Sequence, residues 1–225
     1  MKAIKSVLLV VLLLSLAALA CDLPELPFGN GNGNGNGNDD GNANVLFEDD
    51  FSNKNSGWDQ FDDGSSATDY ANGGYRILVG NTNWYNWANP YQSFTDVRVE
   101  VDVTKQTSPD GDAGIICRYV DTSNFYFLRI TTDGYYAISK LVDGSETTLG
   151  AGEYTETGAV NTATGAVNHV RADCVGSSLT LYVNGTLLEQ VVDSDLTSGD
   201  VGLIGGSFDI GGVDLLFDNF VVYKP

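Results

Sequence analysis

Basic residues are scarce in this chain: eleven Lys and Arg stand against thirty Asp and Glu, a formal charge of −19. Such a surface repels phosphates, so nucleic acid is excluded as a partner, while cations and uncharged ligands are favoured. Histidine occurs once, as His169, and no cysteine spacing suits a metal, so zinc is not expected. No G-x-S-x-G nucleophile elbow accompanies that histidine, which removes the familiar serine triad. Helical periodicity is absent. The apolar run from Val7 to Ala20 is shorter than the roughly 20 residues a helix needs to cross a bilayer.

What is present at the start is an export signal. Lys2 and Lys5 precede the run "SVLLVVLLLSLAALA", which ends in small residues before Cys21, so residues 1–20 read as a signal peptide. Ala18-Leu19-Ala20-Cys21 resembles the bacterial lipoprotein lipobox, which implies cleavage before Cys21, lipidation of its sulfur and a membrane anchor by that lipid. Ordinary signal peptidase cleavage after Ala20 is the alternative. The expected location is extracytoplasmic, on a bacterial membrane or cell surface. Cys117 and Cys174 then form an even pair in an exported chain, expected as a disulfide, with two separate buried thiols as the bland alternative. Pro24, Pro27, the Gly-Asn repeat and "DDGNAN" have little to bury, so residues 22–44 are expected to be a disordered tether reaching about 25–30 Å.

From Val45 to Pro225 the chain is long enough for one well-cored domain. Segments such as "DVRVEVDVT", "AGIICRYV", "NFYFLRIT", "YYAISKLV", "NHVRADCV" and "VDLLFDNFVVY" alternate with period two and are rich in β-branched and aromatic residues. Asp133-Gly134, Asp143-Gly144 and Asn184-Gly185 mark hairpins between them. The expected fold is all-β, a two-sheet antiparallel β-sandwich or jelly roll.

"NHVRADCVGSSLTLYVNGTLLEQVVDS", followed by "GDVGLIGG" and "FDNFVVY", resembles the second half of concanavalin A-like lectin/glucanase domains, nearest the laminin-G-like and 3-keto-disaccharide hydrolase branches. "LFEDDFS" with Trp58 resembles their opening strand. The resemblance spans residues 45–225 and implies fold more than activity, because this scaffold carries binding modules, hydrolases and lyases alike.

Four groups of residues are candidates for chemistry. Glu100 and Asp102 share a face of "VRVEVDVTK", but Thr104 and Lys105 stand where glucan hydrolases of this fold continue the acid motif, so these acids read as a solvated strand face opposite Val97, Val99, Val101 and Val103. His169 reads as structural. Glu48, Asp49 and Asp50 would neighbour Asp218 if the first and last strands pair, and Glu48, Asp50 and Asp218 are candidate ligands for a structural Ca²⁺. Asp110 and Asp112 in "SPDGDAG" read as a turn. Finally, "NTNWYNWANPYQSF" interleaves Trp84, Tyr85, Trp87 and Tyr91 with Asn81, Asn83, Asn86 and Asn89, apolar faces for sugar C–H groups beside amides for hydroxyls. Trp84, Tyr85, Trp87, Tyr91, Asn83 and Asn86 are the expected ligand contacts, with core packing as the alternative. Since Trp84 and Trp87 are three apart, they cannot share one side of a regular strand. The expected function is a lipid-anchored, surface-displayed binding module for carbohydrate; the alternatives are a glycoside or keto-sugar hydrolase and a structural or protein-binding envelope subunit.

Overall fold

The computed structural model describes residues 44–225. The expected signal peptide, the lipidation site Cys21 and all of the tether but Asn44 lie outside the described residues.

Numbered in chain order, the strands form two antiparallel sheets. Sheet I runs β15 (Thr186–Val192), β14 (Ser178–Val183), β13 (Val167–Val175), β7 (Val97–Lys105), β17 (Val213–Tyr223), β4 (Gly74–Val79), β3 (Ala67–Ala71) and β2 (Phe61–Asp62), with β1 (Val45–Asp49) also paired to β17. Sheet II runs β11 (Ser145–Thr148), β10 (Tyr135–Val142), β9 (Asn124–Thr131), β8 (Gly111–Asp121), β16 (Gly199–Ser207) and β5 (Trp84–Ala88), with β12 (Thr155–Glu156) on β10 and β6 (Ser93–Phe94) on β16.

The period-two pattern decides which side of each strand meets the core. In β7 the four valines are buried and Arg98, Glu100 and Asp102 are half-exposed, the alternation of a strand with one wet side. Facing them across the sandwich are Ala113, Ile115 and Cys117 of β8 and Tyr126, Leu128 and Ile130 of β9, all in the same core cluster. Each of the larger aliphatic side chains among them contributes about 1.5–3 kcal/mol on burial. Cys117 of sheet II and Cys174 of sheet I are bonded as a disulfide, with 6.8 Å between their Cα atoms.

Hairpin chemistry sets the register. Asp143 (φ 51°) with Gly144 (74°) and Asn184 (49°) with Gly185 (79°) have two consecutive positive φ values, the type I′ geometry that follows the twist of the flanking strands. "SPDGDAG" is only partly a turn: Asp110 precedes β8, where it pairs with Lys105, but Asp112 lies within the strand and is fully buried. The turn reading gave way there because β8 begins at Gly111, with Asp112 in register against Thr131 and Gly206.

Candidate functional site

The outward sides of the two sheets differ in kind. On sheet II the strand β9 is buried on both sides: its outward Phe125 and Phe127 join Ile116 and Ile204 in a second apolar cluster, against which Tyr85, Trp87, Tyr119 and Leu141 pack. Next to Phe127 in this row is Arg129, only 1% exposed. Its guanidinium lies over the Phe127 ring at 4.3 Å, donates from Nη2 to Glu146 Oε1 at 2.8 Å, and stands 3.4 Å from the buried Asp112. Tyr154 donates its hydroxyl to Asp112 at 2.9 Å. Burial pushes the Asp112 carboxyl up, against the opposing pull of Arg129 and Tyr154. Nε and Nη1 of Arg129 are buried without a hydrogen-bond partner. Room for this arrangement comes from Gly206 on β16, where a Cβ would meet the Tyr85 ring at 2.5 Å.

At one end of this aromatic row opens a cleft of about 770 Å³, lined by Trp87, Tyr91 and Tyr119 together with Asp59, Asn89 and Asp200. Each wall has a local cause. Trp87 faces outward because it shares its side of β5 with Tyr85, opposite the core residue Ala88. Tyr119 follows a bulge in β8 at Arg118 (φ 55°), whose buried guanidinium donates to the carbonyls of Leu196 at 2.8 Å and Gly176 at 2.6 Å. Trp87 and Tyr119 both rest on Phe125, with ring centroids 5.6 Å away in each case. Tyr91 sits beyond β5 with φ 61°, is 72% exposed, and donates its hydroxyl to Asp59. Asp59 also accepts from the Asn89 amide at 3.1 Å. Asp200, at the start of β16, accepts from the amides of Gln92 at 2.7 Å and Val201 at 2.8 Å. Burial raises its carboxyl to about 6, with the Asp59 charge adding to the rise and those amides opposing it.

The expected ligand segment is thus divided. Trp87 and Tyr91 join the cleft. Trp84, Tyr85 and Asn86 line a shallower one of about 300 Å³ with Phe61, Thr68 and Trp87. Trp84 faces the opposite side of β5 from Trp87, as the three-residue spacing requires, and is 54% exposed. Asn86 turns inward and donates to the Leu78 carbonyl at 2.8 Å, while the Asn83 side chain reaches Asp209 at 3.5 Å. Asp59, Tyr119 and Asp200 were not singled out by sequence. The last two lie at strand ends far along the chain from Trp87, and only the pairing of β16 with β5, β6 and β8 gathers them.

On sheet I the outward side is polar and wet. Glu100 and Asp102 do not stand free there: Asp102 accepts from Asn219 at 3.0 Å and lies 2.8 Å from Nδ1 of His169, whose Nε2 is 3.5 Å from Glu100. Arg171 pairs with Asp173 at 2.5 Å, and Arg76 with Asp214 at 2.9 Å. For the calcium expectation, β1 and β17 do pair, and Glu48 and Asp50 line a groove of about 560 Å³. Asp218 does not line that groove; it stands in register with Asp102 on β7, and β17 bulges between Asp218 and Val221. Asp49 is committed to Trp58 Nε1 at 2.9 Å and the Phe51 amide at 2.8 Å. Among the described residues no three His, Cys, Asp or Glu side chains are grouped to hold a metal.

Solved structures of the same shape place the fold. A carbohydrate-binding module of type CBM66 from Bacillus subtilis covers 75% of this chain and 96% of its own, at 17% identity and a TM-score of 0.59. A Bacillus subtilis protein of unknown function with a galectin-like fold covers 80% and 96%, at 10% identity and 0.59. A β-glucanase from Bacillus licheniformis covers 80% and 97%, at 14% identity and 0.54. The fold is a galectin-like, concanavalin A-like jelly roll. No family model matches the chain, and no curated protein does. At these identities the likeness is one of fold alone, so the site has to carry the functional reading.

Proposed function

We propose that the domain binds carbohydrate in the cleft of Trp87, Tyr91 and Tyr119, held outside the cytoplasm on a lipid-anchored chain. The observation that carries this reading is the cleft: three aromatic side chains, one of them highly exposed, line it together with the carboxylates of Asp59 and Asp200. Flat rings stack on sugar C–H faces while carboxylates accept from hydroxyls, and the aromatic row behind the cleft holds the rings in place. A carbohydrate-binding module of the same fold supports it. The lipobox-like Cys21, the Gly-Asn tether and the disulfide support display at an extracytoplasmic surface. A glycan array on the folded domain tests the reading: at least one saccharide binds, and Trp87→Ala abolishes its signal. A folded domain that binds no saccharide refutes it.

One observation favours a second reading, glycoside hydrolysis. Asp200, whose carboxyl burial raises to about 6, and Asp59 line the same cleft, and a raised carboxyl beside an ordinary one is the pairing that glycoside hydrolysis uses. Turnover of a saccharide that binds, lost in Asp200→Asn, would establish it; binding without turnover leaves the module reading.

A further inference from the structure

The cleft contains two carboxylates and no base. Elsewhere on the molecule buried and half-buried acids stand beside cations: Asp112 with Arg129, Asp193 with Lys140, Asp173 with Arg171, Asp214 with Arg76. Among the described residues neither Asp59 nor Asp200 has such a partner, and no Lys, Arg or His lines the cleft. The charged and titratable groups that face Asp200 are Asp59, on the segment after β1, Tyr91, before β6, and Tyr119, across the ladder on β8. Like charges in a part-buried site oppose one another, and a cation placed between them relieves that cost.

The rings make the same demand. Trp87, Tyr91 and Tyr119 line the same cleft as the acids, and an ammonium over an aromatic face is attracted by the ring quadrupole. The formal charge of −19 enriches cations near the surface. We infer that the saccharide recognised here carries a protonated amine, a sugar with a free rather than acetylated amino group, whose ammonium sits between Asp59 and Asp200 while its ring stacks on the aromatic side chains. The inference rests on the carbohydrate reading and names its substrate class.

Titration calorimetry with fully deacetylated glucosamine oligomers, their N-acetylated counterparts and neutral gluco-oligomers of the same length tests it. The deacetylated series is expected to bind about tenfold or more tighter than either other series. Asp200→Asn keeps an oxygen for the Gln92 and Val201 amides, so a folded variant is expected, and it should remove that preference; Asp59→Asn should reduce it. In the native protein the preference should strengthen as pH rises from about 4 to about 6, through the ionisation of Asp200, and decline again where the sugar amine itself loses its proton. Equal or tighter binding of the acetylated or neutral series overturns this inference and leaves carbohydrate binding standing. Absence of binding by all three series overturns the inference too, and the glycan array then decides whether carbohydrate binding falls with it.

Discussion

The two sheets of this sandwich are built on the same strand pattern, yet their outward sides have opposite chemistry. Sheet I turns Arg98, Glu100, Asp102, His169, Arg171 and Asp173 to solvent, paired with one another in water. Sheet II turns Phe125, Phe127, Ile116 and Ile204 outward and keeps them buried, with a desolvated Arg129 and Asp112 beside them. A sheet that needs only to cover a core has no use for apolar side chains and a buried ion pair on its far side, because burying charge costs several kcal/mol per ion before pairing recovers it. That asymmetry directs attention to sheet II and to the cleft at the end of its aromatic row.

Breaking the ion pairs on the two sides should give unequal losses. Arg129→Met leaves Asp112 buried and uncompensated and should lower stability by about 3–5 kcal/mol in denaturant unfolding, whereas Arg171→Met on sheet I should change it by at most about 1 kcal/mol. Equal losses would erase the comparison. The double variant Arg129→Met, Asp112→Leu sharpens it: recovery of most of the lost stability would mean that the pair is not retained for stability. Reducing the Cys117–Cys174 bond, which joins the sheets across a sequence separation of 57, should cost about 4 kcal/mol, read as a lower melting temperature.

Smaller effects probe the packing of sheet II. Gly206→Ala drives a methyl into the Tyr85 ring and should cost about 1–3 kcal/mol, while Gly158→Ala, with nothing within 4 Å, should be neutral. The smallest concerns pH. Because the folded carboxyl of Asp200 titrates near 6 and the unfolded one near 3.8, its favourable contribution is full below the unfolded value and lost as pH rises through the folded one. Because the Gln92 and Val201 amides stabilise the charged form and offset part of the cost of burial, the loss should be on the order of 1 kcal/mol between those values, and it should vanish in Asp200→Asn. An identical pH dependence in wild type and variant would mean that the carboxyl is not desolvated.

The fold was legible because alternation, I′ hairpin dipeptides and an even cysteine pair are local signals that tertiary packing reinforced. The site was legible in part. Trp87 and Tyr91 announce themselves by residue type, but the alternation of "NFYFLRIT" marks a strand without saying what covers its outward side, where Ile116, Ile204, Tyr85, Trp87, Tyr119 and Leu141 pack with Phe125 and Phe127. Asp200 looks like one acid among thirty until its backbone amides, its burial and Asp59 are seen together. The condition for the calcium expectation, pairing of β1 with β17, is met, and Glu48 and Asp50 line the groove beside that ladder while Asp218 stands in register with Asp102.

The central claim is that sheet II, through the Trp87 cleft, is the recognition side. Saccharide binding measured by calorimetry in parallel on wild type, Trp87→Ala and Asp102→Asn tests it most directly. Affinity that falls about tenfold or more in Trp87→Ala and stays within about twofold of wild type in Asp102→Asn is the result expected; binding that survives loss of Trp87 and fails with Asp102 would contradict it.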